Sequence, residues 1–99
     1  MGVYKLSAKC DEDIVSIYEY GIGEFGLGQS KKYLMDLHDS FQTLASSSFI
    51  GSDASELIPE LRRFTYHSHM IFYFSTEYGV LILRVLHQSM DYRRQFLKE

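Results

Sequence analysis

The chain has 99 residues and a formal net charge of −3, which is enough for one small domain around a single core. Its single cysteine excludes an internal disulfide and predicts a reducing compartment. The longest apolar run is interrupted by Arg84 and is shorter than the about 20 residues that a membrane-spanning helix needs. No segment has the pattern of a signal peptide. We therefore expect one cytoplasmic domain, residues 1–99, that does not cross a membrane.

Charge is distributed unevenly along the chain. The first 61 residues contain four lysines and ten acidic residues, whereas residues 62–99 contain six basic and three acidic residues. A protein that binds nucleic acid directly is usually basic over a whole face. The asymmetry instead predicts a basic functional end and an acidic opposite side, without direct sequence-specific binding of nucleic acid.

The N-terminal half predicts a strand followed by two helices. Residues 3–7 alternate between apolar and polar, as in a short strand. Ser7 is a suitable N-cap for a first helix, and Asp11, Glu12 and Asp13 lie near its positive end. Gly26–Gly28 predicts a turn, and a second helix is expected from about Gln29. Apolar residues at helical spacing form its stripe: Tyr33, Leu34, Leu37, Phe41, Leu44 and Ala45.

The C-terminal half predicts three consecutive strands. A polar loop precedes a proline-containing connector at 56–60, and strands are expected at 62–66, 69–74 and 80–87. Their short connections are typical of a meander, and a short helix is expected around 91–98. The fold class is therefore α+β, ordered β-α-α-β-β-β-(α), with a helix hairpin on one face of a small, mainly antiparallel sheet. The sequence does not predict the order of the strands.

Arg84 is the most informative residue of the last strand because it interrupts an apolar run. Burial of an unpaired guanidinium is costly, so Arg84 is expected either to face solvent or to pair with a carboxylate such as Asp91. His87 and the polar residues 88–91 follow. Ser89 and Asp91 fit two roles equally well, capping a final helix or contacting a target.

Three histidines, His67, His69 and His87, raise the question of a metal site. No cysteine or carboxylate completes a spacing typical of metal ligands. A serine hydrolase is also not indicated, since no nucleophile motif is present. The sequence therefore predicts no metal, no cofactor and no catalytic residue.

Several segments together resemble a known family. They are Tyr4-Lys-Leu-Ser7, Phe25-Gly26, Leu61-Arg-Arg-Phe64, Ser68-His-Met-Ile-Phe-Tyr73 and Arg84-Val-Leu-His-Gln-Ser-Met-Asp91. The chain resembles the ParE toxins of the RelE/ParE superfamily, the toxin halves of type II toxin–antitoxin modules of bacteria and plasmids. The resemblance implies a toxin that inhibits DNA gyrase, leaving it trapped on cleaved DNA. It also implies a hetero-oligomer in which a ParD-like antitoxin neutralises the toxin.

The resemblance also implies where the two partners bind. The expected target-binding residues are at the C-terminal end: Arg84, His87, Ser89, Met90 and Asp91. The expected antitoxin-binding residues are aromatic or basic: Arg62, Arg63, Phe64, Tyr66, Tyr33 and Phe41. Arg84→Ala is expected to abolish growth arrest while leaving the fold intact, because Arg84 is taken to be on the surface.

Two alternatives remain open. RelE-like relatives are ribosome-dependent mRNA endoribonucleases, and they typically have an arginine where this chain has Met70 and a basic residue before tyrosine where it has Met90-Asp91-Tyr92. The guanidinium of Arg84 cannot accept the proton of a ribose 2′-OH, although His87 can act as an acid or base. The other alternative is a non-toxic relic that still binds its antitoxin.

Overall fold

The computed structural model describes residues 2–97, and the predicted α+β order is confirmed. Its last helix ends at the limit of this range, so residue 98, which was predicted to be helical, lies outside the described residues. The elements are β1 (Val3–Leu6), α1 (Ala8–Phe25), α2 (Leu27–Ser46), β2 (Ser52–Asp53), β3 (Arg62–Tyr66), β4 (His69–Thr76), β5 (Gly79–His87) and α3 (Tyr92–Leu97).

The sheet has five strands in the order β1-β5-β4-β3-β2. β1 is parallel to β5, and the other neighbours are antiparallel. The short strand β2 was not predicted from the sequence, because two residues are too few to show alternation. No helix within residues 2–97 is long and apolar enough to span a membrane.

The start of α1 is fixed to the sheet by Ser7. Its hydroxyl oxygen accepts a hydrogen bond from the Cys10 N–H at 2.9 Å and donates to the Leu83 carbonyl at 2.7 Å. Ser7 is therefore the predicted N-cap and also joins α1 to β5. The predicted turn after α1 is shorter than expected. Only Gly26, with φ of 89°, separates the helices, so α2 begins at Leu27.

The helix hairpin packs on one face of the sheet and forms the larger core. α1 and α2 cross closely where Gly21 meets Ser30, since a Cβ atom on Gly21 would lie 2.5 Å from the Ser30 hydroxyl oxygen. The buried residues of this helix-side core are Cys10, Leu37, Phe41, Leu44, Ala45, Tyr66, Ile71, Tyr73, Val80, Ile82 and Val85.

A second core, which was not predicted from the sequence, covers the opposite face of the sheet. Phe72 of β4 packs against the rings of Tyr92 and Phe96 on α3, with centroid distances of 5.0 and 4.9 Å. The segment 54–61 completes this core with Ala54, Leu57 and Leu61. Burial on both faces explains why β4 and β5 are almost continuously apolar.

A β-bulge separates the two halves of β5. Tyr73 pairs with Ile82 and Phe72 pairs with Arg84, so Leu83 is an extra residue without a partner in the register. Strict alternation would direct Ile82 and Val85 to opposite faces. With the bulge, both belong to the helix-side core, and Arg84 lies beside α1.

Candidate functional site

Arg84 does not face solvent; it forms a largely buried ion pair with Asp13 of α1. Its Nε and Nη2 atoms each donate to a carboxylate oxygen of Asp13 at 2.8 Å. The two side chains are only 11% and 12% exposed. Hydrogen bonding to Asp13 raises the pKa of Arg84. The expected pairing of Arg84 with a carboxylate is therefore confirmed, but the partner is Asp13 rather than Asp91, and the expected exposure of Arg84 to solvent is wrong.

Asp13 also stabilises the backbone next to the bulge. The Val85 N–H donates to its Oδ2 at 3.0 Å, so one carboxylate accepts three hydrogen bonds from β5. A bulge leaves backbone groups outside the ladder, and a buried N–H needs a partner. The Asp13–Arg84 pair consequently fixes both the bulge and the position of the residues that follow it.

Residues 87–91 form an ordered and exposed turn after β5. The Gln88 N–H donates to the Ser68 carbonyl at 2.8 Å, and the Met90 N–H donates to the His87 carbonyl at 2.9 Å. The Ser89 N–H and hydroxyl both lie against Nδ1 of His87, at 3.1 and 2.8 Å. Met90 is 39% exposed. The turn thus presents an apolar side chain at a fixed position.

Asp91 caps α3, which is one of the two roles considered for it. Its Oδ1 accepts hydrogen bonds from the N–H groups of Arg93 and Arg94 at 3.1 and 3.4 Å. Ser89 takes no part in this cap, since its side chain bonds to His87. Of the predicted target-binding residues, His87, Ser89, Met90 and Asp91 are therefore exposed in one turn, while Arg84 is paired with Asp13 and largely buried.

A cleft of about 380 Å³ lies between the ends of the two helices and the end of the sheet that contains His69 and His87. These two histidines are paired across β4 and β5, with ring centroids 5.3 Å apart. Within the described part of the chain, none of the residues that line the cleft is Lys, Arg, Asp or Glu. They are Ile17, Tyr20, Gly21, Phe25, Gln29, Ser30, Tyr33, Ser68, His69 and His87.

His69 and Tyr33 form the polar base of this cleft. The Tyr33 hydroxyl lies 2.7 Å from Nδ1 of His69. Burial, with a smaller effect from His87, lowers the pKa of His69 to about 4, so its imidazole is neutral at pH 7. Burial likewise raises the pKa of Tyr33. Among residues 2–97, no three His, Cys, Asp or Glu side chains are placed to hold a metal ion together.

Two predicted antitoxin contacts belong to the core instead. Phe41 is fully buried and Tyr66 is 6% exposed, so their expected surface role is corrected. Phe41 lies on the apolar stripe of α2, which faces the sheet, and the Tyr66 hydroxyl donates to the Tyr33 carbonyl at 2.7 Å. Tyr33 itself is half-buried and lines the cleft.

The predicted basic residues of β3 do not form one patch. Arg62 donates to the carbonyls of Phe49 and Gly51 at 3.1 and 2.6 Å, whereas Arg63 pairs with Glu56 at 3.3 Å. These partners lie on different segments, since neighbouring strand residues point to opposite faces. Phe64 is half-buried and packs against the helix-side core.

Exposed aromatic side chains were expected from the sequence, but which ones are exposed near the cleft was not predicted. Tyr20 and Phe25 of α1 are 68% and 66% exposed, and Leu27 at the start of α2 is 51% exposed. A signal was present in the sequence, because the apolar residues of α1 cover more of the helix than one stripe. The exposed apolar residues of α1 are Val15, Tyr20, Ile22 and Phe25.

Comparisons with known proteins agree with this fold. The family model described as "ParE toxin of type II toxin-antitoxin system, parDE" matches residues 4–92. Toxin ParE1 of Mycobacterium tuberculosis is 32% identical over 92 residues, covering 92% of this chain and 94% of the relative. Toxin ParE1 of Caulobacter vibrioides is 32% identical over 93 residues, covering 94% and 96%.

A solved structure shows the same fold at lower identity. It is described as the chromosomal ParDE TA system from P. aeruginosa, and its matched chain has a TM-score of 0.75 with 19% identity, covering 88% of this chain and 96% of that chain. The family match over nearly the whole sequence confirms the resemblance found from the motifs. This chain belongs to the ParE toxin family of type II toxin–antitoxin systems.

Proposed function

We propose that this toxin inhibits bacterial DNA gyrase by protein–protein contact in the cytoplasm, and that a ParD-like antitoxin neutralises it. Membership of the ParE family supports the toxin role. The observation that carries the choice of mechanism is the Asp13–Arg84 ion pair. A phosphate-cleaving site at this end of the sheet would need the guanidinium of Arg84 as its cation, and Asp13 already pairs with that guanidinium.

The ribonuclease alternative is weaker for this reason. Stabilising the charge that develops on a phosphate requires preorganised donors directed at it. Arg84 directs Nε and Nη2 to Asp13, and the side chain of Met70 has no hydrogen-bond donor. The alternative retains one supporting feature, the His69–His87 pair in the cleft, since histidine is a common acid or base.

A paired assay separates the two mechanisms. Purified toxin is added to DNA gyrase with relaxed plasmid and, separately, to ribosomes translating a defined mRNA. We expect supercoiling to fall with toxin concentration while the mRNA stays intact. Cleaved mRNA with unchanged supercoiling would show that the toxin is a nuclease and not a gyrase inhibitor. Intact mRNA together with unchanged supercoiling would favour the non-toxic relic.

We place the gyrase contact on the turn 87–91, with Arg84 as a positioning residue. Met90 supplies an exposed apolar side chain, and His87 and Ser89 supply polar groups beside it. Buried apolar anchors contribute most of the affinity at many interfaces. Arg84 contributes indirectly, because its pairing with Asp13 fixes the strand from which the turn starts.

Met90→Glu is expected to reduce gyrase inhibition by at least about ten-fold, since a carboxylate would replace an apolar contact at the centre of the turn. The change is made on an exposed side chain and should leave the melting temperature nearly unchanged. The measurement is the toxin concentration that halves supercoiling. Met35→Glu on α2 is the matched control, because Met35 is 69% exposed and lies outside the turn. An equal loss of gyrase inhibition in both variants would contradict a contact between the turn and gyrase.

We place the antitoxin contact on the cleft and the exposed apolar side chains beside it. Tyr20 and Phe25 line the cleft while remaining about two-thirds exposed. Exposed apolar surface of this kind marks sites where another protein binds. A groove between helices and a sheet fits an amphipathic segment of a partner.

Cognate antitoxin is expected to raise the melting temperature of the toxin, because a ligand that binds only the folded state stabilises it. At a free antitoxin concentration of 100 times the dissociation constant, the expected stabilisation is about 2.7 kcal/mol. Differential scanning fluorimetry at increasing antitoxin concentration measures the effect. An unchanged melting temperature at saturation would exclude neutralisation by direct binding.

A further inference from the structure

The hydrogen bond from Ser89 defines which ring nitrogen of His87 carries the proton in the neutral form. The Ser89 backbone N–H lies 3.1 Å from its Nδ1, and an amide N–H can only donate. Nδ1 is therefore an acceptor, so the neutral imidazole carries its proton on Nε2. Within residues 2–97, this Nε2 group has no hydrogen-bond partner.

His69 has the same pattern. The Tyr33 hydroxyl lies 2.7 Å from its Nδ1, and we assign the hydroxyl as the donor to the neutral ring. Nε2 of His69 is then also a donor, again without a partner among the described residues.

The surroundings of the two N–H groups select the kind of ligand. The cleft walls from α1 are Ile17, Tyr20 and Phe25, and α2 contributes Gln29, Ser30 and Tyr33. Among residues 2–97, no cationic or acidic side chain lines the cleft, so none of the described carboxylates occupies the donors. Donors in an apolar environment bind an anionic acceptor more strongly than donors in water.

The hydrogen bond from Ser89 disfavours a metal at this position. A metal on Nε2 of His87 would move the ring proton to Nδ1, where histidine ligands normally donate to an acceptor. The Ser89 N–H at Nδ1 is a second donor and would oppose that proton. The arrangement is therefore suited to a hydrogen-bond acceptor.

We propose that the cleft is a carboxylate-binding site, in which an aspartate or glutamate side chain of the antitoxin accepts hydrogen bonds from Nε2 of His69 and His87 while a neighbouring apolar side chain packs on Tyr20 and Phe25. The identity of this occupant rests on the proposed neutralisation by an antitoxin. The preference of the cleft for a carboxylate does not depend on which molecule supplies that carboxylate.

The site chemistry is tested with 3-phenylpropionate, which combines an apolar ring with a carboxylate, and with its amide, 3-phenylpropanamide. NMR titration of the free toxin follows the imidazole ring signals of His69 and His87. The carboxylate is expected to bind about ten-fold more tightly than the amide. His87→Leu should abolish this preference, and His87→Gln, which restores an N–H donor, should recover part of it.

His38→Leu is the matched control, because Nδ1 of His38 also contacts a tyrosine hydroxyl, that of Tyr4 at 2.9 Å, but His38 does not line the cleft. It should leave the preference unchanged. Circular dichroism of each variant verifies that the fold is retained. Equal binding of the carboxylate and the amide would overturn the proposed carboxylate-binding site. An unchanged preference for the carboxylate in His87→Leu would overturn it as well.

The occupant is tested separately by adding antitoxin to toxin saturated with 3-phenylpropionate. Release of the probe is the expected result. A complex that forms while the probe stays bound would overturn the antitoxin as occupant, yet would leave neutralisation by direct binding intact. Failure of the complex to form would instead count against the proposed function.

Discussion

Arg84→Ala is expected to destabilise the fold by about 3 kcal/mol, because it leaves the Asp13 carboxylate buried without its cation. For a domain of this size, 1 kcal/mol corresponds to about 4–8 °C in melting temperature, so we expect a fall of at least ~12 °C. The reason is structural, since Asp13 is 12% exposed and also holds the Val85 N–H. Thermal and urea denaturation measure the change.

The control for this variant is Arg94→Ala, which removes an exposed arginine and should cost less than about 0.5 kcal/mol. A second comparison removes both charges. Asp13→Leu combined with Arg84→Met should recover much of the lost stability, as buried ion pairs can often be replaced by apolar residues. If Arg84→Ala melts like the parent and loses only toxicity, the ion pair is dispensable and Arg84 itself contacts the target.

Phe41→Ala is the second variant with a large expected effect, about 3–5 kcal/mol, because it opens a cavity in the helix-side core. Phe41 is fully buried and packs against the Tyr4 and His38 rings, with centroids 5.4 and 5.3 Å away. Antitoxin binding should decline only as far as the folded population declines. Urea denaturation, followed by antitoxin titration at a temperature where the variant is folded, separates the two effects.

Phe25→Ala is the matched control, since Phe25 is 66% exposed and lines the cleft. It should change stability by less than about 0.5 kcal/mol and weaken antitoxin binding. The opposite pattern, in which Phe41→Ala is stable and loses antitoxin while Phe25→Ala does not, would contradict the assignment of Phe41 to the core and of Phe25 to the contact.

The elements of the fold were predictable because their signals are local. Ser7 is followed by acidic residues and a helical apolar pattern, and the strand at 62–66 was predicted with the bounds it has in the structure. The second core was not predictable in the same way. Its cover is a proline-containing segment and a short helix, α3, and neither has enough residues to show a period.

The site was less predictable because its main contacts are non-local. Asp13 and Arg84 are 71 residues apart in the sequence, and Asp91, only seven residues from Arg84, was the more obvious partner. The bulge at Leu83 decides which face each later residue joins, and no single residue marks it. Phe41 was expected to contact the antitoxin from the resemblance, although the helical spacing also places it on the apolar stripe of α2, which packs into the core.

The most direct test of the proposed mechanism is the amount of plasmid DNA that gyrase leaves cleaved. Gyrase, ATP and supercoiled plasmid are incubated with increasing toxin, and the DNA is deproteinised and separated by electrophoresis. We expect linear DNA to accumulate with toxin, to disappear when cognate antitoxin is added first, and to be much reduced with Met90→Glu. Toxin that arrests growth but leaves both cleavage and supercoiling by gyrase unchanged would contradict gyrase as the target.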